Sequence, residues 1–239
     1  MEGTKLLNLM KLEWNKHRLE RYFISYFISV MSIFGFAVLI ALDTKNSMES
    51  PMRSFNEFMS LVTILTNITF IIFGSIILSR LIISEFRMKT MQVMFTYPIN
   101  RKKLLFAKLT LAFLFTAGCL FISVWLIQIA TYLIQPSLEL FEGSLTAPDL
   151  LATIPKTITN AFMMGAIALI PLFFGMRKKS TATTITSATI ISFLINGTVS
   201  NDSETFNLGE IIIIPLLLAL LGLGIAYLSF RKINETDVA

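Results

Sequence analysis

The run LTLAFLFTAGCLFISVWLIQIATYLI, residues 109–134, contains no Asp, Glu, Lys or Arg and decides the class of fold. A helix needs about 20 mostly apolar residues to cross the ~30 Å hydrocarbon core of a bilayer, so this run predicts a transmembrane helix. The whole chain agrees, because 54% of its 239 residues are hydrophobic, 15% are charged and the mean hydropathy is +0.72. Soluble domains are more polar than this. We therefore predict an integral membrane protein.

Five further runs have a similar length and character. The fifth of the six predicted spans is the weakest, because Ser and Thr crowd it, and Pro171 and Pro215 predict bends in the fourth and sixth. The sequence thus predicts an all-α integral membrane protein, one transmembrane domain over residues 1–239. Its six predicted transmembrane helices cover residues 22–42, 58–79, 109–134, 157–176, 180–199 and 211–230.

Lysine and arginine are unevenly shared between the two sides of these spans. With the N-terminus inside, seventeen of the twenty basic residues fall in inner segments, and only Lys45, Arg53 and Lys156 fall outside. Short loops rich in Lys and Arg stay on the cytoplasmic side of a membrane. The distribution predicts a multi-pass protein with cytoplasmic N- and C-termini.

Residues 4–21 precede the first span and are too polar to enter the bilayer. Leu6, Leu9 and Leu12 can lie on the membrane surface while the lysines and arginines face water, and Trp14 suits the headgroup region. The segment predicts an N-terminal amphipathic interfacial helix. An irregular basic tail is the alternative.

The groups that catalysis requires are scarce in this chain. It has one histidine, His17, and one cysteine, Cys119, and it contains no HExxH motif, no CxxC motif and no GxxxxGK[ST] phosphate loop. We therefore expect no enzyme activity, no metal site and no cofactor bound by this chain. The chain has no basic arm with interleaved aromatic residues, so the sequence does not indicate nucleic acid binding. Because the spans carry no Asp, Glu, Lys or Arg to couple ions or protons, the energy for any transport is expected from a separate ATPase subunit.

The segment 80–108, between the second and third spans, is basic and rich in methionine. Met88, Met91 and Phe95 recur at helical spacing, with Met94 adjacent and Arg87 on another face. Tyr97-Pro98 ends this helix, because the residue before proline is biased away from the α region. The pattern predicts a short cytoplasmic helix with an apolar ridge suited to a moving partner. The alternative is a surface helix whose methionines rest on lipid.

The order Glu85, Thr90, Tyr97-Pro98-Ile99, Arg101 and Lys108 resembles the signature that follows the second span of ABC-2-type transporter permeases. The resemblance implies that this loop forms the coupling helix, which inserts into a groove of the ATP-binding cassette subunit. The residues expected to serve this coupling are Glu85, Arg87, Met88, Met91, Met94, Phe95, Tyr97, Pro98 and Arg101. Two departures affect the start and tilt of the helix: Lys89 replaces the family's usual Gly, and Asn100 replaces its common Ser.

Weakly polar residues follow one face of the second span and one face of the fifth, and both faces are candidates for a cargo path. They are Ser60, Thr63, Asn67 and Gly74 in the second span, and Thr189, Ser192 and Asn196 in the fifth. The same residue types are the usual contacts of packed membrane helices, which is the alternative. Gly222 and Ala226 in the sixth span predict a further close-packing face.

Together these features predict the permease subunit of an ATP-driven exporter in a bacterial plasma membrane, in contact with membrane lipid. The resemblance implies two copies of the ATPase subunit, with ATP and Mg on that subunit, and a homodimer or heterodimer of permeases. A mildly polar, uncharged path favours an amphipathic or hydrophobic peptide or antibiotic-like cargo, for export or self-immunity. The alternative is a non-pumping immunity or binding protein that sequesters a peptide or scaffolds a complex. Its acidic outer loop 135–156 could attract a cationic peptide.

Overall fold

The structure is a computed structural model, and nearly all of the chain that it describes is helical. It describes residues 2–16, 18, 20–46, 55–87, 101–138, 147–201, 204–207 and 213–232. The long helices are α1 (Glu2–Lys16), α2 (Arg21–Asn46), α3 (Phe55–Leu78), α5 (Arg101–Leu138), α7 (Ile154–Ile167), α9 (Thr181–Asn196) and α10 (Ile213–Lys232). The short elements are α4 (Ser84–Arg87), α6 (Ala147–Ala152), α8 (Pro171–Lys178), β1 (Thr198–Asn201) and β2 (Glu204–Asn207). The predicted all-helical class is confirmed, apart from the small antiparallel β1–β2 hairpin.

Within the part of the chain that the structure describes, four stretches of helix are long and apolar enough to cross a membrane. They run over Arg21–Lys45, Phe55–Ile83, Lys103–Leu138 and Pro148–Lys178. Two shorter apolar helices, Thr181–Asn196 and Ile213–Leu228, coincide with the fifth and sixth predicted spans. Large apolar side chains stand far out from the bundle, with Ile24, Met31 and Leu133 each more than 65% exposed. Exposing so large an apolar surface to water is unfavourable, whereas contact with lipid has no such cost.

The helices alternate in direction, so the predicted inner segments gather at one end of the bundle. Glu13 of α1, Glu85 of α4 and Lys108 of α5 meet there. Lys103 of α5 and Tyr227 of α10 line one groove at the same end. At the opposite end the Lys45 Nζ donates to the Leu138 carbonyl over 3.2 Å, joining the last turns of α2 and α5. We call the end where Glu13, Glu85 and Lys108 meet the basic end.

Helix α3 lies at the centre and packs against α2, α5, α7 and α9. Phe58, Phe70 and Ile77 are fully buried along it. A Cβ at Gly74 would lie 2.5 Å from the Thr116 Oγ1, so α3 and α5 approach closely because this position has no side chain. Gly222 does the same for α10, since its Cβ would lie 2.1 Å from the Ala166 carbonyl oxygen of α7. Of the close-packing face predicted in the sixth span, Gly222 therefore meets another helix of the same chain, whereas Ala226 lines a groove.

The Ser- and Thr-rich helix α9 satisfies its own hydroxyls. Thr184, Thr186, Ser187, Thr189 and Ser192 each donate to a carbonyl three or four residues earlier in the chain, over 2.9–3.1 Å. Such bonds remove the cost of placing a hydroxyl in an apolar surrounding. This explains how a sequence with so many polar atoms packs beside the apolar helices.

Pro171 and Pro215 are the prolines of the fourth and sixth predicted spans. Helix α7 ends at Ile167, three residues of turn follow, and α8 begins at Pro171, so the helix of the fourth predicted span is interrupted just before this proline. Pro215 is the third residue of α10 as the structure describes it, Ile213–Lys232. The bend predicted there stays a prediction.

Candidate functional site

Four charged side chains meet at the basic end, and we call them the charge cluster: Glu13, Lys16, Glu85 and Lys108. The Lys108 Nζ contacts Glu85 Oε2 directly and lies 3.2 Å from Glu13 Oε2. The Lys16 Nζ lies 2.7 Å from Glu85 Oε1. Lys108 is completely buried, and Glu13 and Glu85 are only 4% and 5% exposed. The cluster therefore joins α1, α4 and α5 through three buried charges, Glu13, Glu85 and Lys108, and one exposed lysine, Lys16.

Burying the charges of this cluster has a large cost in desolvation free energy. Glu13, Glu85 and Lys108 lose their hydration on folding, a cost of several kcal/mol per ion that only well-placed opposite charges offset. Two acidic and two basic groups leave the charge cluster with no net formal charge. Short hydrogen bonds between ionised partners are about twice as strong as neutral ones. Lys108 is the cation that Glu13 and Glu85 share, so its removal takes a partner from both buried carboxylates.

A π-helical segment, Ser79–Ile83, shapes the wall of this site. The Ser84 N–H bonds to the Ser79 carbonyl five residues earlier, rather than to the Arg80 carbonyl four residues earlier. The Ser84 Oγ donates to that Arg80 carbonyl over 2.5 Å, and the Lys108 Nζ donates to the Leu81 carbonyl over 3.0 Å. Side chains thus satisfy carbonyls of the widened turn. Single π-helical turns inside α-helices occur frequently at functional sites.

The charge cluster fixes both flanks of the predicted coupling helix. Helix α4 ends at Arg87 and α5 begins at Arg101, so the Glu85–Lys108 pair joins the helices that precede and follow residues 88–100. Met88, Met91, Met94, Phe95, Tyr97 and Pro98 lie outside the described residues, and so do the side-chain positions of Arg87 and Arg101. The predicted Met/Phe ridge stays a prediction.

Three asparagines form a second polar site, toward the opposite end of the bundle. The Asn67 Nδ2 of α3 donates to Asn160 Oδ1 of α7 over 3.4 Å and to Asn196 Oδ1 of α9 over 3.2 Å. The Asn160 Nδ2 donates back to Asn67 Oδ1 over 2.9 Å, and the Asn196 Nδ2 donates to the Ser192 carbonyl over 2.9 Å. We call this the amide cluster. Its hydrogen bonds connect three helices, α3, α7 and α9.

The structure brings together two of the residues predicted to line a path, Asn67 and Asn196. The others lie along the same two helices, with Thr63 and Thr189 donating to carbonyls of their own helix and Ser192 fully buried. Ser60 is half-buried, and Gly74 lies against Thr116. The structure tests neither path lining nor its alternative, and both stay predictions.

Sequence reasoning did not assign Glu13, Lys16 or Asn160 to a site. Glu13 is an acidic residue in a mostly basic segment, and Asn160 is an isolated amide in an apolar run. These two features of the sequence could have indicated Glu13 and Asn160 as site residues. Lys108 entered only through the resemblance.

Replacing Asn67 by Leu is expected to lower the free energy of unfolding by about 2 kcal/mol, because three interhelical hydrogen bonds of about 0.6 kcal/mol each are lost. Asn56→Leu is the matched control, since Asn56 is exposed in the first turn of the same helix. Thermal unfolding in detergent measures both variants. Equal melting temperatures would contradict a stabilising amide cluster. A loss of transport beyond the loss of folded protein would support path lining.

Comparison with known proteins agrees with these features. The family model described as ABC-2 family transporter protein matches residues 9–196. Uncharacterized protein YcbO of Bacillus subtilis (strain 168) is 33% identical over 231 residues, covering 97% of this chain and 100% of that protein. No solved structure matches the chain. The matched residues include both the charge cluster and the amide cluster, and the chain belongs to the ABC-2 transporter family of membrane proteins.

Proposed function

We propose that the chain is the permease subunit of an ATP-driven exporter, crossing a bacterial plasma membrane six times with both termini in the cytoplasm. Membership of the ABC-2 family supports a membrane transport component that works with an ATP-binding cassette subunit. Two ATPase copies and a homodimer or heterodimer of permeases complete the proposed assembly. The proposed cargo is an amphipathic or hydrophobic peptide or antibiotic-like molecule.

The observation that carries this proposal is the position of the charge cluster. It ties together the helix that enters residues 88–100 and the helix that leaves them, and it also holds α1. A push on residues 88–100 from an ATPase would therefore reach three helices at once.

One continuous helical rod leads from that point toward the amide cluster. Residues 55–87 are helical throughout, since the π-helical segment joins α3 and α4 with helical φ and ψ at both of its ends. Glu85 and Asn67 lie on this rod, about 27 Å apart at a rise of 1.5 Å per residue. The rod offers a physical route by which ATP-driven movement at one end alters helix contacts at the other.

The segments that meet at the basic end support the proposed orientation, in which this end faces the cytoplasm. The basic end collects the N-terminal helix, the flanks of residues 88–100 and the last turns of α8 and α10. These are the segments richest in Lys and Arg, and such segments stay on the cytoplasmic side. The proposed ATPase would therefore meet residues 88–100 from the cytoplasm.

Purification of the tagged chain from its native membrane in mild detergent, with mass spectrometry of its partners, tests the proposal. We expect an ATP-binding cassette subunit in the complex, and peptide transport into vesicles only when that subunit and ATP are both present. Transport by the chain without ATP would contradict the proposal. A peptide-bound chain with no ATPase partner would instead support the non-pumping immunity or binding protein.

A further inference from the structure

An open apolar groove of about 520 Å³ lies at the basic end, between α5, α10 and the turn that joins α7 to α8. Phe106 and Phe113 form the α5 wall, Leu223 the α10 wall, and Leu169 belongs to the turn. Specific sites for small molecules have volumes of about 300–1,000 Å³, so the groove is large enough to hold part of a lipid.

Among the described residues that line the groove, Lys103 is the charged one. Lys103 is exposed and lies in the first turn of α5, where the helix dipole adds a partial positive charge. The hydroxyl-bearing Tyr227 lines the groove from α10 and is 61% exposed. Most of the remaining lining is apolar. The groove thus offers an apolar bed with a cation at its side, which is the complement of an acyl chain attached to a phosphate.

We infer that this groove binds one anionic phospholipid, with an acyl chain along Phe106, Phe113 and Leu223 and the phosphate beside Lys103. Basic pockets between transmembrane helices on the cytoplasmic side bind acidic headgroups, and each lysine near an anionic leaflet contributes about 1 kcal/mol. The assignment of the groove to the cytoplasmic leaflet rests on the orientation under the proposed function. The match between Lys103 and a phosphate does not depend on transport.

The lipid would stabilise the bundle where α10 and α5 are separated by the groove. Helix α10 approaches α7 closely at Gly222, whereas the next residue, Leu223, and the residues one turn later, Ala226 and Tyr227, line the groove between α10 and α5. An acyl chain there fills the gap between the two helices. A ligand that binds only the folded state raises the free energy of unfolding by an amount that grows with the logarithm of its concentration above Kd.

The test uses the purified full-length chain in neutral detergent, titrated with phosphatidylglycerol or with phosphatidylcholine of the same acyl chains. Native mass spectrometry counts bound lipid, and thermal unfolding reports the stabilisation. We expect preferential binding of phosphatidylglycerol and a higher melting temperature. Lys103→Gln is expected to weaken phosphatidylglycerol binding about fivefold, which corresponds to about 1 kcal/mol.

Lys178→Gln is the matched control, because Lys178 is an exposed lysine at the end of α8 that does not line the groove. Ala226→Phe fills the groove and should abolish binding of both lipids. Equal effects of Lys103→Gln and Lys178→Gln, or equal binding of the two lipids, would overturn the inference. So would a concentration-dependent dimer that Ala226→Phe abolishes, since a second copy would then occupy the groove. None of these readouts requires the ATPase, so they separate this inference from the proposed function.

Discussion

Lys108→Met is expected to lower the free energy of unfolding by about 3–5 kcal/mol. Lys108 is fully buried between Glu13 and Glu85, so methionine fills its volume but leaves two buried carboxylates without their shared cation. Breaking a buried ion pair from one side has this cost, because the remaining charge stays desolvated. The Leu81 carbonyl of the π-helical segment also loses its donor. Thermal or denaturant unfolding in detergent measures the loss.

Two companion variants make this result specific. Lys178→Met removes an exposed lysine at the same end of the bundle and should change stability by less than about 0.5 kcal/mol. The triple variant Glu13→Gln, Glu85→Gln, Lys108→Met removes all three buried charges together, and we expect it to be more stable than Lys108→Met alone. The electrostatic account fails if Lys108→Met behaves like Lys178→Met, or if the triple variant is the least stable of the three.

Much of the helical architecture could be predicted from hydropathy, because transfer into lipid depends on local composition. Residues 109–134 carry enough apolar surface to specify a membrane helix whatever their neighbours are. The same local logic explains α9, whose hydroxyls bond to carbonyls one turn earlier and need no partner elsewhere. Helix ends were less predictable, and α5 extends over Arg101–Leu138 because charged and polar residues continue its helix beyond the apolar run.

The sites depend on contacts between distant parts of the chain, which helical periodicity cannot identify. Lys108 and Glu13 lie 95 residues apart, and the sequence of α1 says which side of that helix is polar but not which helix it will face. The same holds for Asn160, which meets Asn67 across 93 residues. The π-helical segment leaves no mark on hydropathy at all, since it changes hydrogen-bond register rather than side-chain character.

The double variant Met91→Asp, Phe95→Asp is expected to bind the ATPase subunit about 100- to 1,000-fold more weakly than the wild type. This loss of affinity should abolish co-purification. This prediction rests on the proposed function. The two residues fall on one side of the predicted helix within 88–100, whose flanks the Glu85–Lys108 pair fixes. Buried apolar anchors of an interface each contribute about 2 kcal/mol or more, and aspartate also places a charge in the partner's groove. Pull-down of the tagged chain with the ATPase, quantified by mass spectrometry, measures the loss.

Val93→Asp provides the matched control for this pair. It makes the same apolar-to-acidic change on the opposite side of the predicted helix, so it should leave the complex intact if the Met/Phe ridge is the docking surface. Membrane insertion and the melting temperature of the isolated chain should be unchanged in both variants, because residues 88–100 lie outside the apolar spans. Retention of the ATPase by the Met91→Asp, Phe95→Asp variant at the wild-type level would reject docking through this ridge. Loss of the ATPase from Val93→Asp alone would place the contact on the other side of the helix, and ATP-driven movement would then have to enter the Glu85–Lys108 pair from there.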